Sequence, residues 1–153
     1  MGTTTAGSIL YQCGALPFSI AASGNVRVLL VTTRGSRRWI IPRGWPIRNL
    51  TSAATAAREA YEEAGLVGTI VGDQPVGCYR YEKRFNARKA VCEVAVFLFA
   101  VERQLQKWPE KAERQTRWFT PAEASVVVDS AELGRIVLDT LSELSRLRPL
   151  PTA

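Results

Sequence analysis

The sequence predicts a mixed α and β fold (α+β), with one sheet packed between helices. Three observations carry this. Segments of high β-propensity dominate, among them Ser8–Ile20, Val26–Thr33 and the most apolar stretch, Ala90–Val101. Thr51–Ala64 is alanine-rich and free of internal glycine or proline, which favours a helix. Ser130–Leu147 sets Leu133, Ile136, Val137, Leu138, Leu141, Leu144 and Leu147 at helical spacing. Each face of a sheet must bury its apolar side chains, so one internal and one C-terminal helix suit a layered arrangement.

In chain order, Ser8–Ile20 reads as β structure broken by Gly14 and Pro17, and Ser23-Gly24-Asn25 turns the chain into Val26–Thr33. Trp39–Pro42 is a short strand that ends at proline, and Arg43-Gly44-Trp45-Pro46 reads as an irregular loop. Thr51 or Ser52 is the N-cap of the helix that follows, and Gly65 is its stop. Val67–Val71 and Val76–Tyr81 flank a turn at Gly72-Asp73-Gln74-Pro75, and Ala90–Val101 is a central strand. Arg117-Trp118-Phe119 closes a short strand, Thr120-Pro121 caps a turn of helix, and the tail after Pro149 reads as loose. Of the four tryptophans, Trp39 and Trp118 at strand positions read as core, whereas Trp45 in the loop after Gly44 is the better candidate for a ligand contact.

Length and composition bound the function. A chain of 153 residues suits one domain, with a core at about 9–147, and 46% apolar residues can fill it. No stretch approaches the roughly 20 consecutive apolar residues of a bilayer span, and the first residues lack a secretory pattern. Cys13, Cys78 and Cys92 read as reduced, buried thiols of a cytoplasmic protein. A net charge of +6 favours polyanionic partners. The absence of histidine excludes Ser-His-Asp and Cys-His catalysis and any imidazole metal site. Chemistry here must use carboxylates, Lys, Tyr, Cys or a hard cation held by oxygen.

Arg58-Glu59-Ala60-Tyr61-Glu62-Glu63-Ala64-Gly65-Leu66 carries that chemistry. On a helix Glu59, Glu62 and Glu63 stand at i, i+3 and i+4, so their carboxylates project from one side and repel. Glutamates on a helix are commonly solvated surface. Beside an alanine-rich packing face the repulsion points instead to a divalent cation, and oxygen ligands suit Mg²⁺ or Mn²⁺.

Gly44 to Leu66 resembles the Nudix box, GX5EX7REUXEEXGU. Gly44 takes the first position, Arg58-Glu59 the RE, Glu62-Glu63 the EE and Gly65-Leu66 the final GU. Leu50 stands where the box has its first Glu, which in the family pairs with the arginine, and Glu62 is placed four residues from Arg58 to compensate. The resemblance implies a Nudix-type α/β/α sandwich with a mixed, mostly antiparallel central sheet. It implies that Glu59, Glu63 and the Gly44 carbonyl hold Mg²⁺ or Mn²⁺. It further implies that Glu62 is the base for an attacking water and that Arg58 positions the carboxylates.

Outside the box the chain is most similar to diphosphoinositol polyphosphate phosphohydrolases. The supporting pieces are Arg37-Arg38-Trp39-Ile40-Ile41-Pro42-Arg43, Tyr79-Arg80-Tyr81 with Lys83-Arg84, and Trp108-Pro109-Glu110 before Arg114 and Arg117-Trp118-Phe119. The activity implied is metal-dependent cleavage of diphosphate linkages in polyphosphorylated small molecules, such as diphosphoinositol polyphosphates or diadenosine polyphosphates. Such substrates need clustered cations, and Arg37, Arg38, Arg43, Lys83, Arg84 and Arg114 are the candidates, carried by three basic loops. A nucleoside-triphosphate or ADP-ribose-type substrate is the alternative. A catalytically weak Nudix scaffold, or a nucleic-acid-binding module, ranks lower, because the acids are retained and the basic residues are scattered. No membrane partner is expected, and a homodimer is compatible with this reading.

Overall fold

A computed structural model describes residues 8–147. In chain order the elements are β1 (Ile9–Ile20), β2 (Val26–Thr32), β3 (Trp39–Ile40), β4 (Arg43–Gly44), α1 (Ser52–Ala64) and β5 (Leu66–Ile70). They continue with β6 (Gly77–Phe85), β7 (Arg88–Gln104), β8 (Thr116–Phe119), α2 (Pro121–Val127) and α3 (Ala131–Leu147). The strands form an eight-stranded sheet with the path β3-β2-β1-β7-β5; β4 joins β1, β6 joins β7 and β8 joins β2. β1 and β7 run parallel from Ile9↔Val91 to Phe18↔Ala100, and the other strand pairs are antiparallel. This is the expected mixed, mostly antiparallel sheet.

Alternation along the strands builds two cores, because successive side chains leave opposite faces. Cys13 and Ala15 of β1, Leu29 and Val31 of β2, and Phe97 and Phe99 of β7 meet Ala56, Ala60 and Ala64 of α1. Leu16 and Phe18, Val28 and Leu30, and Val94 and Val96 face the other way, onto Ala124 of α2 and Leu133, Val137 and Leu141 of α3. The alanines let α1 lie close to the sheet, whereas α3 presents larger side chains. A helix layer on each face makes the expected α/β/α sandwich. Trp39 packs on the α3 side with its ring 5.1 Å from Phe119, edge to face, and Trp118 packs on the α1 side.

The structure corrects several expectations. Gly14 and Pro17 do not interrupt β1, because its parallel pairing with β7 runs continuously past both. Arg43–Gly44 is a two-residue strand opposite Cys13 and Gly14, not an irregular loop, since the chain leaving Pro42 still finds ladder partners on β1. Lys83 and Arg84 are on β6 and Arg88 and Lys89 on β7; the hairpin between them is tight, with Asn86 at φ 56°, so no basic loop exists there. Thr120-Pro121 does cap a helix, which runs for seven residues and opens with a reciprocal capping box between Thr120 and Glu123. Cys78 is exposed while Cys13 and Cys92 are buried. Leu138, placed on the apolar stripe of α3, is 39% exposed. The tail after Pro149 lies outside the described residues. Among the described residues no helix is long and apolar enough to cross a membrane.

Candidate active site

The site is built around α1. Thr51 caps its start, its hydroxyl accepting from Ala54 N at 3.0 Å. Gly65 ends it in the left-handed conformation at φ 69°, where a Cβ would also overlap the Trp108 ring. The last carbonyls of a helix have no partner inside it. Here the chain from Gln104 to Glu110 supplies them. Glu110 N donates to Glu62 O (3.0 Å), Trp108 Nε1 to Glu63 O (3.2 Å), Gln104 Nε2 to Ala64 O (2.9 Å) and Leu105 N to Gly65 O (2.8 Å). The turn that carries the carboxylates is therefore held from outside by a distant segment.

Glu59 and Glu63 stand one helical turn apart, close enough for each to shift the other's titration. Glu63 is buried at 3% exposure, and its Oε1 accepts from Arg43 N at 3.4 Å. The Glu59 carboxylate lies directly against Gly44, where any Cβ would overlap it. Burial raises both acids above the ordinary carboxylate range, and Glu63 well above it. Arg114 opposes that shift at Glu63, while the neighbouring acids reinforce it. Arg114 is itself buried: Nε binds Glu110 Oε1 at 2.8 Å, Nη2 approaches Glu63 Oε2 at 3.7 Å and Nη1 donates to Thr32 O at 3.1 Å.

Among the described residues no three His, Cys, Asp or Glu side chains converge to hold a metal by themselves. The donor set is two desolvated carboxylates beside a glycine backbone. That suits Mg²⁺ or Mn²⁺, which bind through one or two carboxylates together with substrate phosphates and water. A buried acid and a half-buried one that repel each other also have reason to take up a cation.

Two adjoining clefts open here. The narrower, of about 340 Å³, is lined by Glu59, Glu63, Gly44, Trp45, Glu110 and Arg114 among others. The wider, of about 680 Å³, is lined by Arg38, Arg80, Arg84 and Tyr79 among others. Arg34, Arg43, Tyr81 and Lys83 line both. Arg43 is clamped there: its Nη1 donates to Tyr79 Oη at 2.9 Å and its guanidinium sits 3.8 Å above the Tyr81 ring, whose hydroxyl donates to Gln12. Burial pushes both tyrosines above their ordinary range, so they stay neutral beside it.

The sequence-derived residues are thus partly brought together. Gly44, Glu59, Glu63, Arg43, Lys83 and Arg114 meet at the narrower cleft, and Arg38 and Arg84 line the wider one. Glu62 does not share the one-sided projection. Its carboxylate turns to Arg58 (2.9 Å), the compensation that Leu50 calls for, and does not line either cleft described. Arg37 lies outside both clefts at φ 58° in the β2–β3 turn. Arg114 is committed to internal partners. Arg34, Glu110 and Tyr81 were missed as site residues, because nothing in their local spacing shows which wall of the fold they reach.

A sequence profile of the NUDIX domain matches residues 18–139. Among curated proteins the chain is 28% identical over 112 residues to Nudix hydrolase 13, mitochondrial, of Arabidopsis thaliana, covering 69% of this chain and 55% of the relative. It is 30% identical over 104 residues to Nudix hydrolase 12, mitochondrial, of the same plant, covering 65% and 51%. The chain therefore spans about half the length of these two relatives. Among solved structures a C. elegans Ap4A hydrolase complex superposes with TM-score 0.67 at 18% identity, covering 90% of this chain and 99% of that one. The E. coli dihydroneopterin triphosphate pyrophosphohydrolase superposes with TM-score 0.62 at 15% identity, covering 89% and 99%. At such identities the likeness is one of fold.

Proposed function

Because the chain belongs to the Nudix family, we propose that it is a metal-dependent hydrolase of diphosphate linkages in polyphosphorylated small molecules. One observation carries this reading. The Glu59–Glu63 pair at Gly44 faces a cleft that runs on into a second, cation-lined one. A diphosphate set at the carboxylates can therefore extend further phosphates past Arg43 and Lys83 toward Arg38 and Arg84. Diphosphoinositol polyphosphates and diadenosine polyphosphates are the substrates we favour. Trp45, 41% exposed on the narrower cleft, supports the second reading, a nucleoside-triphosphate or ADP-ribose-type substrate whose base stacks there.

Glu59 and Glu63, with the Gly44 carbonyl, would hold Mg²⁺ or Mn²⁺, and the bound cation supplies positive charge against the charge that develops on phosphate oxygens. The chain's own groups do the rest. Arg43, fixed by two tyrosines, presents a cation that needs no reorganisation as charge grows. The proton of the attacking water goes to a nearby carboxylate. Glu62, with Arg58 positioning it, is the family's candidate; Glu110, which lines the cleft, is the structure's. The substrate is a small molecule rather than nucleic acid, and we place the protein in the cytoplasm on its three unpaired cysteines.

A phosphate-release screen over diphosphoinositol polyphosphates, diadenosine polyphosphates and ADP-ribose, run with Mg²⁺ and with Mn²⁺, tests the reading. Turnover of at least one, lost by about 100-fold or more in Glu63→Gln, is the expected result. No turnover with either metal would overturn it. Glu62→Gln and Glu110→Gln, compared by kcat, separate the two candidate bases.

A further inference from the structure

Arg34 stands on the β2–β3 turn where the two clefts meet, and its side chain lines both. It is held there by an acid from another part of the chain: Nη1 donates to Glu113 Oε1 at 2.6 Å. Glu113 belongs to the segment that also brings Glu110 and Arg114 to the narrower cleft. The same turn is tied at the wider cleft, where Arg38 Nε lies 3.2 Å from Asp129 Oδ2. All four side chains of these two pairs are solvent-exposed. The turn thus presents two cations to the clefts, each in an ion pair with a carboxylate from a distant segment, and Glu110 and Glu63 add to the field at Arg34.

We propose that Glu113 is a specificity-determining residue whose carboxylate occupies Arg34 in place of a ligand phosphate. This rests on the reading of the clefts as a polyanion site. An exposed ion pair is weak, worth only a few-fold in an equilibrium, so a ligand can displace it. A phosphate offers Arg34 two charge-assisted bonds and more charge than a carboxylate does. A ligand whose uncleaved part is neutral offers nothing in exchange and meets an electronegative oxygen. Glu113 therefore lowers the affinity of every anion that reaches Arg34 and sets a threshold that a phosphate passes and weaker anions do not. Asp129 does the same for Arg38 at the wider cleft.

The effect differs from a general acid near a polyanion, because it acts through one arginine. A double-mutant cycle on the full chain reads that difference, with inorganic tripolyphosphate as the probe and binding measured by calorimetry. Glu113→Gln is expected to bind tripolyphosphate roughly two- to fivefold more tightly than the unmodified chain. Arg34→Gln is expected to bind it more weakly, and Glu113→Gln in the Arg34→Gln background to give no gain. An equal gain in both backgrounds, no gain in either, or no measurable binding by any variant would each sink the proposal. Hydrolysis is followed separately. If no phosphoanhydride turns over with Mg²⁺ while the cycle still shows coupling, the enzymatic reading fails and the role of Glu113 stands.

Discussion

The Arg114 guanidinium lies 3.7 Å from the Glu63 carboxylate, and both side chains are at least nine-tenths withdrawn from solvent. The same guanidinium binds Glu110 and the Thr32 carbonyl, so it is an internal counter-ion joining β2, α1 and the segment before β8. Removing one member of such a group leaves an uncompensated buried charge. Arg114→Met is therefore expected to cost about 3–5 kcal/mol in urea denaturation. If Arg114 served mainly as a surface contact for substrate phosphate, stability would move by less than about 0.5 kcal/mol and KM would rise instead.

Gly44→Ala probes the cradle of the carboxylates. Its Cβ would overlap the Glu59 carboxylate, which is the flexible end of a side chain and can swing away. The fold is then expected to survive with its melting temperature little changed. Hydrolysis and Mn²⁺ affinity are expected to fall about 10- to 100-fold, the range for misplaced metal ligands. Undiminished Mn²⁺ affinity by calorimetry would show that Glu59 is not held against Gly44 for that purpose.

Gly65→Ala meets two obstacles at once: a left-handed backbone at φ 69° and the Trp108 ring over the α-carbon. The conformational cost alone is about 1–2 kcal/mol. Displacing Trp108 also breaks its bond to the Glu63 carbonyl, worth about a further 1 kcal/mol. A loss near 2–3 kcal/mol on denaturation, with a shift in tryptophan fluorescence, is the expected result; an unchanged midpoint would refute the capping role of this segment.

Arg37 and Arg38, adjacent in sequence, are expected to behave differently. Arg37 sits at φ 58° outside both clefts, so Arg37→Asn, which tolerates that backbone, leaves KM unchanged. Arg38 lines the wider cleft and is paired with Asp129, so Arg38→Ala raises KM for a polyphosphate substrate by roughly two- to fivefold. Equal effects of the two substitutions on KM would place the turn differently from the arrangement described.

The strands and helices of the sandwich could be read from pattern, because β-propensity, an alanine-rich run and helical spacing of apolar residues act over a few residues. Glu59 and Glu63 were legible for the same reason: four residues apart on a helix, they can hardly fail to meet. Glu62 shows where spacing stops being enough. It has as good a claim to the shared edge as its neighbour, but Arg58 holds it, and that rivalry follows from Leu50 having no charge to offer. The basic residues were less legible still. Arg34 and Arg37 differ by three positions in one turn, yet one faces two clefts and the other neither. Arg114 and Arg38 look alike in sequence, and one is a buried counter-ion while the other is a cleft wall.

By itself, then, the sequence determined the layered fold, the helix that carries the paired carboxylates, and, through the absence of histidine, a chemistry without imidazole. These follow from interactions among residues close in the chain, whose geometry a helix or a strand fixes in advance. Tertiary structure alone decided which charges are spent inside the protein and which remain for a ligand. It brought residues 104–115 across the end of α1 and set Glu113 against Arg34, contacts between segments far apart in the chain. Burial and the reach of one charge to another are properties of folded space, and no local period encodes them.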